Sequence, residues 1–433
     1  MADIQQLYAI TWNAGWGELI ATLIRAVLVI LPVILLMAIY TWMERRQASF
    51  MQDRIGPTRA NIPIAGKNIT LWGLVHIAAD GLKFSFKEDV VPNKVHRFLF
   101  ALAPILSLAP VVIVFVVIPF GGYFAYHQWD QVVTAETVRL AAEQGRSFRL
   151  QATNLDIGLL LVFAFSGLGV FGASLAGYGS HNKWALIGGL RAAAQMVSYE
   201  VTLGLTVVGA LLLYGTLEPM AIVQWQGPNP SKWGLVIQPI GALLFLAASI
   251  AESKRIPFDL PEGESEIIGF NLEYSGMRWG IFFMGEYMEL VFVGAMFTTL
   301  FLGGFNVPWL YADGFHFGGA HLALPHLAVV LLQMLAFWMK VVAIGFLQVA
   351  IRWTLPRLRY DQLMKLGWVG MLPVSLANVM ITAVLLLVYK KLGWKIENFW
   401  IASVAMLLLT FACVTMLPHS GAAAGDESHS ESH

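Results

Sequence analysis

Apolar residues along this chain do not alternate with polar ones at the spacing of a half-buried strand or surface helix. They come in blocks of about twenty, separated by polar or charged connections. A helix of about 20 residues is ~30 Å long, the thickness of a bilayer's hydrocarbon core. Backbone inside lipid must satisfy its own hydrogen bonds, so each block is predicted to be a helix. The blocks lie at 18–42, 98–120, 155–177, 192–214, 235–251, 279–304, 323–349, 369–389 and 398–417. The expected fold is therefore all-α, a polytopic transmembrane helical protein of eight or nine spans. The last block decides on which side the chain ends: inside if it crosses, outside if it does not.

Within the connection 43–97, residues 71–88 carry a second pattern. Leu71, Val75, Ala79, Leu82 and Phe86 recur at three- and four-residue spacing, while Asp80, Lys83 and Lys87 recur on another face. This predicts an amphipathic helix lying at the membrane interface or over a groove between spans.

Composition narrows the function classes. Of 433 residues, 58% are hydrophobic and 12% charged, against about 25% charged in a soluble domain. A net charge of zero gives no footprint for nucleic acid. The single cysteine, Cys413, lies in a late apolar block and can form neither an internal disulfide nor an iron–sulfur site. The first apolar block is too long for a secretory signal and lacks a small-residue cleavage pattern, so it reads as a retained span.

Charge also orients the chain. With the N-terminus outside, the connections 43–97, 178–191, 252–278 and 350–368 face inward and hold 18 Lys and Arg residues, against 7 in 121–153, 215–234, 305–322 and 390–397. That bias places the conspicuous loops on the cytoplasmic side. Residues 1–417 form one membrane domain, with 121–153 as an external insertion whose Val133, Val138, Leu140 and Ala141 suggest a helix. The tail, 418–433, is small, polar and His-rich. Metal capture is its functional alternative, but the composition favours disorder.

A charged side chain in a span costs roughly 2.5–3.5 kcal/mol on insertion scales, so each calls for an explanation. Glu200 stands about eight residues, or ~12 Å, into the fourth block, with Arg191 near that block's start. Glu286 and Glu289 share one helical face of the sixth block at i, i+3. Glu252 closes the fifth block and Glu44 follows the first, while Lys340 lies within the seventh. One such charge would be structural. Several carboxylates on different spans, most toward the cytoplasmic half, favour a proton relay, because burial and like-charged neighbours bring carboxyl groups toward neutral pH.

The densest segment is 252–278. It sets Glu252, Asp259, Glu262, Glu264, Glu266 and Glu273 against Lys254, Arg255 and Arg278. Pro257, Pro261, Gly263 and Gly269 interrupt regular helix. Ile256, Phe258, Leu260 and Phe270, interleaved with the charges, argue for burial within the protein or against a partner. No phosphate loop, zinc spacing, nucleophile triad or dinucleotide fingerprint is present. Gly188–Gly189 and Gly121–Gly122 read as turns. From these motifs no redox cofactor and no metal is expected in this chain, and electrons are expected to be handled elsewhere.

Six stretches together resemble the signatures of the H-type membrane subunits of proton-pumping NADH–quinone oxidoreductase, complex I. They are ERRQASFMQDRIGPTR (44–59), AADGLKFSFKED (78–89), GGLRAAAQMVSYE (188–200), AESKRIPFDLPEGESE (251–266), EYSGMRWGIFFMGEY (273–287) and PRLRYDQLMKLGW (356–368), in the family's order. The resemblance implies a multi-pass subunit of the bacterial inner membrane, seated where the hydrophilic arm meets the bilayer. Its implied partners are the hydrophilic-arm subunits bearing the terminal iron–sulfur cluster, and the adjacent small and antiporter-like membrane subunits. Its substrate would be a quinone, ubiquinone or menaquinone. Arg45, Arg54, Asp80, Lys83, Arg255, Phe258 and Asp259 match positions at the quinone chamber. Glu200, Glu252, Glu262, Glu264, Glu266 and Glu286 match the family's acidic path, with Arg191 as a cationic partner.

The chain departs from the family in the long 121–153 connection, in the last block and tail, in VHIAAD (75–80) without its Gln-Pro, and in Lys254 where Asn is usual. The nearest rival is the homologous membrane component of an energy-converting hydrogenase or related dehydrogenase; the hydrogenase version uses no quinone, and the intact loop motifs favour the quinone enzyme. A secondary transporter would show paired interrupted helices or an internal repeat, which are not evident. A passive scaffold would tolerate neutralisation of its charges.

Overall fold

The computed structural model describes residues 16–64, 67–125, 130–134, 136, 137, 140, 147–261, 263, 269–317 and 320–393. Eight of the nine apolar blocks become helices. These are α1 (Trp16–Met51), α3 (Arg97–Val114), α4 (Gly158–Gly179), α5 (Lys183–Tyr214), α7 (Pro239–Glu252), α8 (Gly276–Phe301), α9 (His326–Thr354) and α10 (Tyr360–Leu392), the last with an internal π turn at Leu366–Met371. All but α7 are long and apolar enough to cross a membrane unaided. The 14 residues of α7 reach about 21 Å. Shorter helices among the described residues are α2 (Val75–Phe86), α6 (Pro219–Gln226) and a single turn at Gly234–Ile237. The ninth block and the predicted tail lie outside the described residues.

Several helices outrun their apolar blocks. Hydropathy marks the part that lipid can cover, whereas Glu, Arg, Gln and Lys extend a helix readily beyond it. Thus α1 continues to Met51, which puts Glu44 and Arg45 on the helix instead of in a loop. Helix α5 begins at Lys183, where the Asn182 side chain accepts from the Trp184 N–H at 3.0 Å. It ends at Gly215, whose φ of +68° suits a glycine stop. The expected loop 178–191 shrinks accordingly. Arg191 lies on α5, and Gly188 and Gly189 are helical instead of forming a turn.

Those glycines mark close approaches. A Cβ on Gly188 would lie 2.9 Å from the Phe270 backbone nitrogen, and one on Gly172 would lie 2.7 Å from that of Ser107. The first lets Pro261, Gly269 and Phe270 settle against α5; the second lets α3 and α4 pack with their backbones near contact. Helix α8 runs through the middle of the bundle and touches α1, α2, α3, α7 and α9. Most of its residues are buried. By contrast Leu31, Leu35, Phe171, Leu243, Leu335, Met339 and Leu387 face outward, as lipid-facing or subunit-facing side chains do.

Lys340 is a structural charge. Its ammonium donates to the carbonyls of Leu302, Gly304 and Asn306 at 2.8, 2.9 and 2.6 Å, and lies 4.3 Å from the Trp233 ring centre. All three of its donors are used where α8 ends.

Helix α2 forms where the pattern placed it, but it packs with a different face. Leu71, Leu82 and Phe86 are exposed, Phe86 at 85%. Ile77, Asp80 and Phe84 turn inward, with the Phe84 ring 5.4 Å from Trp279 and 6.0 Å from Phe283. The ion pair that Asp80 makes with Arg45 compensates the turning-in of its polar residue.

Short antiparallel ladders occupy the connections, where strands of two to four residues are too brief for periodicity to reveal. They are β1 (Ile62–Ile64) with β2 (Lys67–Ile69), β3 (Tyr123–Ala125) with β4 (Ser147–Arg149), and the sheet β5 (Leu310–Tyr311), β6 (Gly314–Phe317), β7 (Ala320–Ala323). The helix expected within 121–153 falls mostly outside the described residues.

Candidate functional site

Where α7, the 253–275 segment and the start of α8 meet the ends of α1 and α9, charges converge. Glu44, only 6% exposed, is the centre. Its Oε2 accepts from Arg255 Nη1 and from the Tyr287 hydroxyl, each at 2.9 Å, and its Oε1 accepts from Arg352 Nη1 at 2.6 Å. The Arg255 guanidinium also lies 4.2 Å over the Tyr287 ring. Burial works against the Arg255 charge, but Glu44, Tyr287 and Glu286 outweigh it and raise its pKa. A buried carboxylate between two guanidinium groups is held by all three at once. Removing it would leave two cations facing each other, the arrangement that costs about 3–5 kcal/mol when one partner of a buried pair is deleted.

Residues 253–261 are pinned to their surroundings. Gln195 Nε2, on α5, donates to the carbonyls of Ala251 and Phe258, both at 2.7 Å. The Leu358 N–H donates to the Pro257 carbonyl at 3.1 Å. Phe258 is buried 6.1 Å from Tyr199. Asp259 Oδ2 accepts from Arg357 Nη2 at 2.9 Å. Burial nevertheless dominates this carboxyl. Despite Arg357 and Arg352 beside it, its pKa is pushed up to about 6, with Glu286 adding to the rise.

From Asp259 a row of acidic groups runs into the bundle. Glu286 is close enough to interact with Asp259, with Arg255 and with Glu289, one helical turn further along α8. Glu289 and Glu200 in turn both act on Glu252. The order is thus Asp259, Glu286, Glu289, Glu252, Glu200, spanning the segment and helices α8, α7 and α5. Lys254 enters this row, its Nζ 3.9 Å from Glu289 Oε1. Its backbone φ is +56°, a conformation Asn adopts more easily than Lys. Glu252 and Glu289 share the wall of a cavity of about 30 Å³ with Ser249 and Ser253, which is room for a water. Glu200 reaches α4, where a Cβ on Gly167 would lie 3.1 Å from its Oε1.

Beside the cluster lies a larger cavity of about 360 Å³ between α1, α2 and α8. Its lining includes Met37, Ile77, Phe84 and Phe283, with Thr41, Asp80, Ser85 and Tyr287 as polar members. Asp80 pairs with Arg45 at 2.5 Å.

The structure therefore gathers Arg255, Phe258, Asp259, Glu252, Glu286 and Glu200, and sets Arg45 and Asp80 at the neighbouring cavity. Arg54 and Lys83 are exposed, Lys83 lying 5.2 Å over the Phe84 ring. Arg191 stacks 5.4 Å over Tyr360. Glu262, Glu264 and Glu266 lie outside the described residues. Sequence reasoning counted Glu44 and Glu289 among the span carboxylates and Lys254 among the charges of 252–278 without giving them a place in the site, and it missed Tyr287, Arg352, Arg357 and Gln195. For Glu289 the signal was available in its i, i+3 spacing from Glu286. For Arg352 and Arg357 there was only their place at the end of a span.

The chain matches a family model described as NADH dehydrogenase over residues 24–383. It belongs to this family. Among similar proteins, one of the NADH-quinone oxidoreductase H subunits of Koribacter versatilis, the one numbered 2, is 39% identical over 368 residues, 84% of this chain and 96% of that one. The H subunit of the Bdellovibrio bacteriovorus enzyme is 38% identical, covering 83% and 94% of the two chains. That of Leptospira biflexa is 36% identical, covering 88% and 98%. Family members of this kind thus align with nearly their whole length, from α1 to α10.

Proposed function

We propose that this chain is the H-type membrane subunit of a proton-pumping NADH–quinone oxidoreductase, and that its charged site couples quinone reduction to proton movement. The reading is carried by the acidic series Asp259, Glu286, Glu289, Glu252 and Glu200, in which each group lies within electrostatic reach of the next and which begins beside the Asp259–Arg357 pair.

The cavity between α1, α2 and α8 supports the quinone half of the proposal. Its mainly apolar lining suits an isoprenoid tail, and Tyr287 joins it directly to Glu44 and Arg255. Ubiquinone and menaquinone both fit that description. The chamber is completed by hydrophilic-arm subunits, which bring electrons from a terminal iron–sulfur cluster. Arg54, Lys83 and the segment carrying Glu262, Glu264 and Glu266 then meet those partners. The N-terminus lies outside a bacterial inner membrane, and this end of the bundle faces the cytoplasm.

Reducing quinone to quinol takes up two electrons and two protons. Negative charge gathering beside Asp259 and Glu286 favours protonation of those carboxyls, and each change is felt by the next acid in the row. Lys254 and Arg255 set which members can be ionised together. The row delivers that change to Glu200 on α5, toward neighbouring antiporter-like subunits.

Glu200→Gln and Glu286→Gln keep the side-chain shape and remove the titratable group. In assembled enzyme, each is expected to lower proton pumping coupled to quinone reduction by more than about tenfold, in the range assigned to positioned proton carriers. Full pumping at normal quinone reduction in both variants would remove these residues from the relay.

A further inference from the structure

At the other end of α8, far from the charged site, the sheet β5–β6–β7 presents a cluster that the proposed function does not use. Asp313 lies in the turn between β5 and β6, and His316 and His321 stand directly opposite each other on β6 and β7. His316 Nε2 is 3.0 Å from Asp313 Oδ1, and His321 Nε2 is 3.3 Å from Oδ2. The two imidazole centres are 4.4 Å apart. Each side chain offers one ligand atom, and the three atoms lie within 4.8 Å of one another.

The backbone fixes this convergence. The Leu324 N–H donates to the Asp313 carbonyl at 3.2 Å, and the His316 N–H donates to the Trp309 carbonyl at 3.0 Å. Gly314, with φ +135°, leaves no room for a Cβ against the Leu322 carbonyl. The hairpin can therefore hold its register only with glycine there, and that register sets His321 against His316.

We propose that Asp313, His316 and His321 form a binding site for a divalent transition-metal ion of the zinc class. Imidazole and carboxylate ligands at ~2.0–2.2 Å from a tetrahedral ion stand about 3.3 Å from one another, close to the 3.0 and 3.3 Å that separate the two imidazole nitrogens from the two oxygens of Asp313. Two nitrogen donors and one oxygen select zinc, copper, nickel or cobalt over magnesium or calcium, which take oxygen ligands. Three protein ligands leave a position open to water. The bland alternative is a pair of Asp–His contacts. Exposed pairs of that kind contribute little, and two charged imidazoles beside one carboxylate would repel. A metal ion uses the same geometry with both imidazoles neutral. Bound zinc would tie the β5–β6 turn to β7 and so staple the connection between α8 and α9.

The test uses the intact complex carrying His419→Ala, His429→Ala and His433→Ala, which remove the imidazoles of the C-terminal tail. Equilibrium dialysis against radioactive zinc should show one more tightly held ion per complex in this parent than in His316→Ala or His321→Ala. In those variants affinity at the site should fall more than about tenfold. Elution as assembled complex shows that a variant has folded, and His321→Gln replaces the alanine form if that one does not assemble. Equal zinc uptake by the parent and by assembled His316 and His321 variants overturns the proposal.

Discussion

Asp259 shows how two opposing forces settle on one side chain. Arg357, 2.9 Å away, favours the carboxylate, while burial favours the neutral acid, and burial wins. The group is ionised at pH 7 and becomes neutral as pH falls through about 6. Its folded pKa exceeds the ordinary 3.8, so the stability gained from its bound proton is complete below 3.8 and is lost as pH rises through about 6. Infrared difference spectra of the assembled enzyme should therefore show a protonated-carboxyl band that grows in between pH 7 and 5. The band should be missing in Asp259→Asn. An unchanged band in that variant would assign the titration to another acid. Asp259 was legible in the sequence as a loop acid. Its partner was not, because Arg357 is 98 residues away and only packing brings it near.

At the scale of elements, the site depends on one helix accepting a loop at very short range. Gly188 on α5 lies under Phe270 and Gly269, and Gln195, two turns on, holds the carbonyls of Ala251 and Phe258. A methyl group at position 188 meets backbone, which cannot swing aside. Gly188→Ala should lift the 253–275 segment and cost about 1–3 kcal/mol, as overpacking does. The expected readout is a complex that assembles but has faster hydrogen exchange across 253–261 and a lower rate of quinone reduction. Exchange identical to the parent's would show that the segment does not rest on this contact. A pair of adjacent glycines in a sequence suggests a turn. Here they sit inside a helix because what the position requires is proximity between backbones, and periodicity carries no record of a neighbour.

For the whole molecule, the two ends of the bundle have opposite characters. One end gathers buried ion pairs, and the other carries the β3–β4 ladder, the β5–β6–β7 sheet and the Lys340 staple. The proposed orientation sets the first in the cytoplasm and the second outside. With Cys413→Ser as background, Leu322→Cys on β7 should react with a membrane-impermeant maleimide in intact spheroplasts. Lys94→Cys, between α2 and α3, should react only in inverted vesicles. The reverse labelling would turn the chain over and place the acidic site on the wrong side for a cytoplasmic electron donor.

The sequence by itself determined the all-α membrane architecture, the position of the eight described apolar helices and the family. Each of these rests on local quantities: a twenty-residue run of apolar side chains must cover itself in lipid, and a motif is read in contiguous residues. Tertiary structure alone decided the partners. Glu44 meets Arg255 across 211 residues and Tyr287 across 243, α2 turns Ile77 and Phe84 inward in place of its more regular stripe, and Glu289 on α8 comes to act on Glu252 at the end of α7. Ion pairing and close packing act between surfaces that the chain brings together only when it folds, and their range is a few ångströms in space whatever the separation along the sequence.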